Sequence, residues 1–181
     1  MKIVSTIVLA GAAFLAAVSP VKADFIATGA LTPGADNATN SSGSGNITLD
    51  YNSTADVFTY TLSWADLTGV ATMAHIHFGA VGVDGPIIVP FFMTTLPATD
   101  TISGTLTNAD VTPAAGITTI AQVATAIADG NAYVNIHTVE YPGGELRGQL
   151  AIAPEPGTAG LLAASLAAGL FLVARFRRRS I

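Results

Sequence analysis

The chain has 181 residues, half of them hydrophobic, with 12 acidic against 7 basic side chains and no cysteine. Thiol chemistry, disulfides and thiolate-held metals are therefore excluded, and the hydrophobic core must hold the fold by itself. Between residues 24 and 153 one arginine stands against eleven acidic residues, leaving −10, which excludes a nucleic-acid or anionic-lipid surface as partner.

Residues 1–23 read as a secretory signal peptide. Lys2 precedes an apolar run from Ile3 to Val18, and Val21 and Ala23 place small side chains at −3 and −1 of a signal peptidase cut after Ala23. The run is short for a membrane-spanning helix. The domain that follows, 24–153, is long enough to bury a core. Phe25–Leu31 predicts a strand, and 33–45 a polar loop. Asn-x-Ser/Thr sequences at Asn37, Asn40, Asn46 and Asn52 fit a Ser/Thr/Asn-rich secreted surface.

Asn46–Tyr51 and Val57–Trp64 alternate apolar and polar residues around the turn Asn52-Ser53-Thr54. Thr72–Phe78 is a further strand, ended by Gly79, Gly82 and Gly85. Pro90 inside Pro86–Phe92 marks an edge or a bulge. Thr101–Thr107 alternates again. A helix is expected over Ile120–Asp129, with a Thr119/Gln122 capping box and Gly130 as its stop. Ala132–Thr138 and Leu146–Ile152 close the domain around the turn Tyr141-Pro142-Gly143-Gly144. This pattern predicts an all-β chain, an antiparallel sandwich or barrel with one short crossover helix.

Residues 154–181 form the third segment. Pro154-Glu155-Pro156 precedes an apolar stretch over 158–174, a transmembrane helix by length, and then Arg175, Arg177, Arg178 and Arg179. The arginines hold the tail end in the cytoplasm and so place the domain outside. The motif, helix and cluster together resemble the PEP-CTERM sorting signal. That resemblance implies recognition by an exosortase, a membrane protease-transferase of exopolysaccharide-producing Gram-negative bacteria. The precursor would be anchored in the inner membrane, with the mature domain periplasmic, cell-surface or extracellular.

All three histidines fall in predicted strands, and strand parity sorts them. His75 and His77 share a face with Met73; Tyr133, Asn135 and His137 share one; Glu145, Arg147 and Gln149 share one. If these strands are neighbours they form a single polar patch. Two readings stay open. In the first the patch is a structural network of Asn135, Glu145 and Arg147, with Arg147 paired to Glu145 and the histidines bonded to backbone carbonyls. In the second, His75, His77 and His137 supply three imidazoles to one copper or zinc ion, with Glu145 or Asn135 fixing a tautomer.

Three blocks make the domain resemble the CHRD domain, named from chordin and found alone in many bacterial secreted proteins. They are Ala74-His75-Ile76-His77-Phe78-Gly79 with Gly82 and Gly85-Pro86, Ala132–Thr138, and Tyr141–Leu150. The resemblance implies an immunoglobulin-like or related β-sandwich and carries over no catalytic residue. His75-Ile76-His77 is also similar to a ligand strand of copper-zinc superoxide dismutase, but that enzyme needs more histidines than three. The expected function is an exported, non-enzymatic surface or matrix module, with an exopolysaccharide or matrix protein as partner. The alternative is a mononuclear copper- or zinc-binding protein, in which a metal-dependent activity stays open.

Overall fold

Alternating burial builds the first half of the domain, seen in a computed structural model that describes residues 23–33 and 40–154. Phe25–Pro33 (β1), Ser44–Asn52 (β2) and Val57–Ala65 (β3) form an antiparallel meander, with Ala27, Leu31, Ile47, Leu49, Phe58 and Leu62 turned into the core. The remaining strands are Ala71–Phe78 (β4), Ile87–Phe92 (β5), Asp100–Leu106 (β6), Ala132–Thr138 (β7), Leu146–Gln149 (β8) and Ala151–Ile152 (β9). Their order across the sheet is β5-β4-β7-β8-β1-β2-β3-β6, every pair is antiparallel, and β9 pairs with β1.

The described residues adopt the expected all-β antiparallel architecture with one α-helix. The sheet is a single curled half-barrel; a sandwich is realised only in that its two halves share one core. The curl passes through β1, which pairs with β9 at Ala27 and Thr28 and with β8 at Thr32 and Pro33. The expected last strand over 146–152 is accordingly broken at Leu150 into β8 and β9.

Side chains close the gap that hydrogen bonds leave open. Tyr60 on β3 meets Phe91 on β5 with ring centroids 4.9 Å apart, and Trp64 stacks on Phe92 at 5.4 Å. The Trp64 indole N–H donates to the Pro97 carbonyl at 2.9 Å. β5 is an edge strand and its register against β4 shifts twice around His75 and Ile76, so both expectations for the Pro90 segment hold. The helix, Ile120–Ala128 (α1), has its Thr119/Gln122 capping box and buries Ile120, Val123, Ala124, Ala126 and Ile127. Gly130 follows at φ 72°, the left-handed conformation that ends a helix at low cost. A 3-10 turn over Asn108–Asp110 was not expected from the sequence.

Residues 1–22 of the signal segment, Glu155, Pro156 and the apolar stretch over 158–174 lie outside the described residues. Among the described residues no helix is long and apolar enough to cross a membrane.

Because Trp64 both fills the core and holds the Pro97 carbonyl, Trp64→Ala is expected to cost about 3–5 kcal/mol in urea unfolding. Thr59→Ala, on the exposed face of the same strand, is expected to stay within about 0.5 kcal/mol of wild type.

Candidate metal centre

Strand pairing brings the three predicted polar faces together. β7 lies between β4 and β8, and the register sets His77 opposite Tyr133, His75 opposite Asn135 and Met73 opposite His137. On the other side Asn135 faces Arg147 and Tyr133 faces Gln149. The intervening residues Ala74, Ile76, Val134, Ile136 and Leu146 enter the core. These strands are thus buried on both faces, one by the core and the other by the loop 79–86 and the turn 139–145.

The histidines cluster. Ring centroids lie 5.0 Å apart for His75 and His137, 5.5 Å for His75 and His77, and 6.3 Å for His77 and His137. One ligand nitrogen from each can be chosen so that all three fall within 4.8 Å of one another. Three bonds of roughly 2.0–2.1 Å to one ion leave the nitrogens about 3.3–3.6 Å apart, so a closure of up to about 1.5 Å would complete a three-nitrogen site.

Backbone carbonyls set the orientation of two rings. His77 Nδ1 lies 2.9 Å from the Gly85 carbonyl, and His137 Nδ1 lies 2.9 Å from the Pro142 carbonyl. A carbonyl only accepts, so each neutral ring carries its proton on Nδ1 and presents the Nε2 lone pair. This is the arrangement in which imidazole binds zinc or copper, with the second nitrogen held by an outer partner. His75 differs. It is 1% exposed, and neither ring nitrogen has a hydrogen-bond partner among the described residues. Burial, with His137 and His77 adding to it, lowers its pKa to about 4.

Two networks hold the carbonyls in place. Arg147 donates to Asp84 at 2.7 Å and to the Val83 carbonyl at 2.8 Å, which fastens the loop that carries Gly85. Its guanidinium sits 3.4 Å from the centroid of Tyr133, which itself stacks on His77 at 4.8 Å and 8°. The Tyr133 hydroxyl accepts from the Gly85 N–H. A Cβ at Gly85 would overlap the Phe78 carbonyl, so the loop packs this closely only with glycine there.

Glu145 is 1% exposed and accepts from the Ser41 hydroxyl at 2.6 Å, the Thr68 N–H at 2.7 Å and the Thr138 hydroxyl at 2.7 Å. Burial pushes its pKa up, but the hydrogen bonds from Ser41, Thr138 and Thr68 outweigh it and hold the carboxylate below its usual range. This network anchors the turn that supplies the Pro142 carbonyl.

The expected Arg147–Glu145 pair is therefore corrected: Arg147 pairs with Asp84, and Glu145 with three hydroxyl- or amide-bearing residues. The reason is local. β8 begins at Leu146, so Glu145 belongs to the turn and strand alternation does not carry it onto the face of Arg147. The histidine–carbonyl bonds are present for His77 and His137 and absent for His75. Sequence reasoning missed Asp84, Ser41, Thr68 and Thr138 as partners, and no local pattern points to them. Tyr133 had a signal, an aromatic on the face shared with His137.

A comparison with known families matches the CHRD domain to residues 27–150, more than half of the chain. No curated protein and no solved structure matches.

Burial of His75 and Glu145 has a pH signature. Unfolded, His75 takes a proton at its ordinary 6.5; folded, it resists down to about 4. The unfolded state thus binds protons first, and metal-free protein is expected to lose stability as pH falls from 6.5 to 4, by at most about 1.4 kcal/mol per unit. Glu145, lowered from 4.5, adds a loss beginning as pH falls below that value. His75→Leu should flatten the first phase and Glu145→Gln the second in chelator-treated urea titrations. A wild-type midpoint flat from pH 6.5 to 4 would contradict the first, and one flat as pH falls on from 4.5 the second.

Proposed function

The chain belongs to the CHRD domain family, and on that premise we propose an exported, non-enzymatic surface module whose three-histidine centre binds one copper or zinc ion. The family supports an extracellular or secreted location. The observation that carries the metal is His75. A buried imidazole with both nitrogens unbonded costs roughly 1–3 kcal/mol unless something else bonds it. His77 and His137 lie beside it, each ring oriented by a backbone carbonyl at Nδ1. A bound ion would take one nitrogen from each ring and link the loop 79–86 to the turn 139–145.

The non-enzymatic half of the proposal is supported by the closure of the centre: His75, His77 and His137 are 1%, 9% and 7% exposed. A cavity of about 290 Å³ between α1 and β1 shares no residue with it. For sorting, the support is the sequence of the two ends. Signal peptidase would cut after Ala23, and an exosortase would act at Pro154-Glu155-Pro156 once the inner membrane holds the apolar stretch. An exopolysaccharide or a matrix protein would be the eventual neighbour.

Chelator-treated protein given copper or zinc should bind one ion per chain and melt higher, with about 2.7 kcal/mol of stabilisation at one hundred times Kd. His75→Ala should lose the shift. An unchanged melting temperature in saturating copper and in saturating zinc rejects the centre. Replacing Pro154 and Pro156 with alanine should leave uncut precursor in the inner-membrane fraction of a host that has an exosortase. Processing identical to wild type would rule out the sorting reading.

A further inference from the structure

Met73 is not among the described residues that pack on the hydrophobic core. It lies directly opposite His137 in the β4–β7 pairing, and that register runs without a shift from Met73 to Phe78. Alternation along this run puts Met73 on the face of His75 and His77, while Ala74 and Ile76 enter the core. Directly paired residues have Cβ atoms about 4.5–5.5 Å apart, a gap that a thioether on three rotatable bonds spans easily. Met73 is only half-buried and does not pack against the hydrophobic core. A flexible thioether beside the imidazoles of this face is a side chain that could also reach an ion.

Charge bears on which ion that would be. The group that could hold an ion consists of three histidines, all neutral donors. The nearby carboxylates are committed elsewhere, Glu145 to Ser41, Thr68 and Thr138, and Asp84 to Arg147. The cost of burying an ion rises as the square of its charge, and among the described residues no anionic ligand joins the group to offset it. A monovalent ion therefore suits the site better than a divalent one. Among transition metals a soft thioether selects copper(I), which imidazole also binds.

Resting on the metal centre proposed above, we infer that Met73 is its fourth ligand and that the site is built for copper(I) held by His75, His77, His137 and the Met73 sulfur. Met73, more exposed than the closed-in imidazoles, is also the ligand that an incoming ion would meet first.

The test uses full-length protein and its Met73→Leu variant, a volume-conserving change that leaves apolar packing nearly intact. Copper(I) affinity is read anaerobically by competition with a chromophoric chelator, and zinc affinity in parallel. The expected result is a loss of about ten-fold or more for copper(I) in the variant, at least what loss of an outer-shell partner costs, with zinc affinity unchanged. X-ray absorption of the copper(I)-loaded wild type should show a sulfur neighbour alongside nitrogen, and its absence overturns the inference whatever the variant does. Equal copper(I) affinity in both proteins removes Met73 while leaving the histidine centre standing. If wild type binds neither copper(I) nor zinc, the centre and its fourth ligand fall together.

Discussion

The face of β4, β7 and β8 that looks away from the core carries His75, His77, Tyr133, Asn135, His137 and Arg147, none of them more than 9% exposed. A sheet with one wet face can leave its polar residues to water, as β2 does with its alternating exposure. Here the loop 79–86 and the turn 139–145 remove that option. Each polar group on the face must find a partner inside the protein or a ligand, because an unmet buried donor or acceptor costs more than a met one gains. The placement of the loops, the chemistry of the turn and the character of the centre all follow from that requirement.

Two charged residues meet it differently. Arg147 reaches outward: its ion pair is with an Asp84 that is 81% exposed, where screening leaves an ion pair little value. Its larger contribution is geometric, since the planar guanidinium covers Tyr133 and takes the Val83 carbonyl at the same time. Glu145 reaches inward and has no cationic partner among the described residues. Hydroxyls and a backbone N–H from three separate segments stabilise its charge, so it joins the chain before β2, the β3–β4 connection and the end of β7. One network thereby steadies the Gly85 carbonyl and the other the Pro142 carbonyl. The two oriented histidines thus depend on residues that touch neither ring.

Close backbone approach is the other condition for this packing. At Gly148, on β8, a Cβ would run into the Ala30 carbonyl of β1, so the strand that carries Arg147 can lie against β1 only with glycine there. The curl of the sheet at Thr32 and Pro33 brings these strands together and lets two halves share one core in place of two independent sheets. The aromatic contacts of Tyr60 and Trp64 with β5 then hold the curl closed from the far side.

Much of this architecture is legible in the order of the residues alone. The alternation of Asn46–Tyr51 and Val57–Trp64, the capping box of Thr119 and Gln122, and the stop at Gly130 are short-range patterns, and each is present in the fold. Parity along single strands also places His75 with His77 and His137 with Asn135 on one polar face, because successive side chains must alternate. The step from shared face to partner is where such patterns fail. Alternation would pair Glu145 with Arg147 through a strand that does not begin until Leu146, and nothing local connects Glu145 to Ser41 or Thr68, or Arg147 to Asp84. The sequence by itself determined the strand-rich acidic domain, its helix and the three histidines on one side. Only the tertiary structure decided that the sheet curls as one, that loops bury the polar face, and that His75 is left between two oriented imidazoles. Periodicity is written into adjacent residues, whereas partners are set by contacts between segments far apart in the chain.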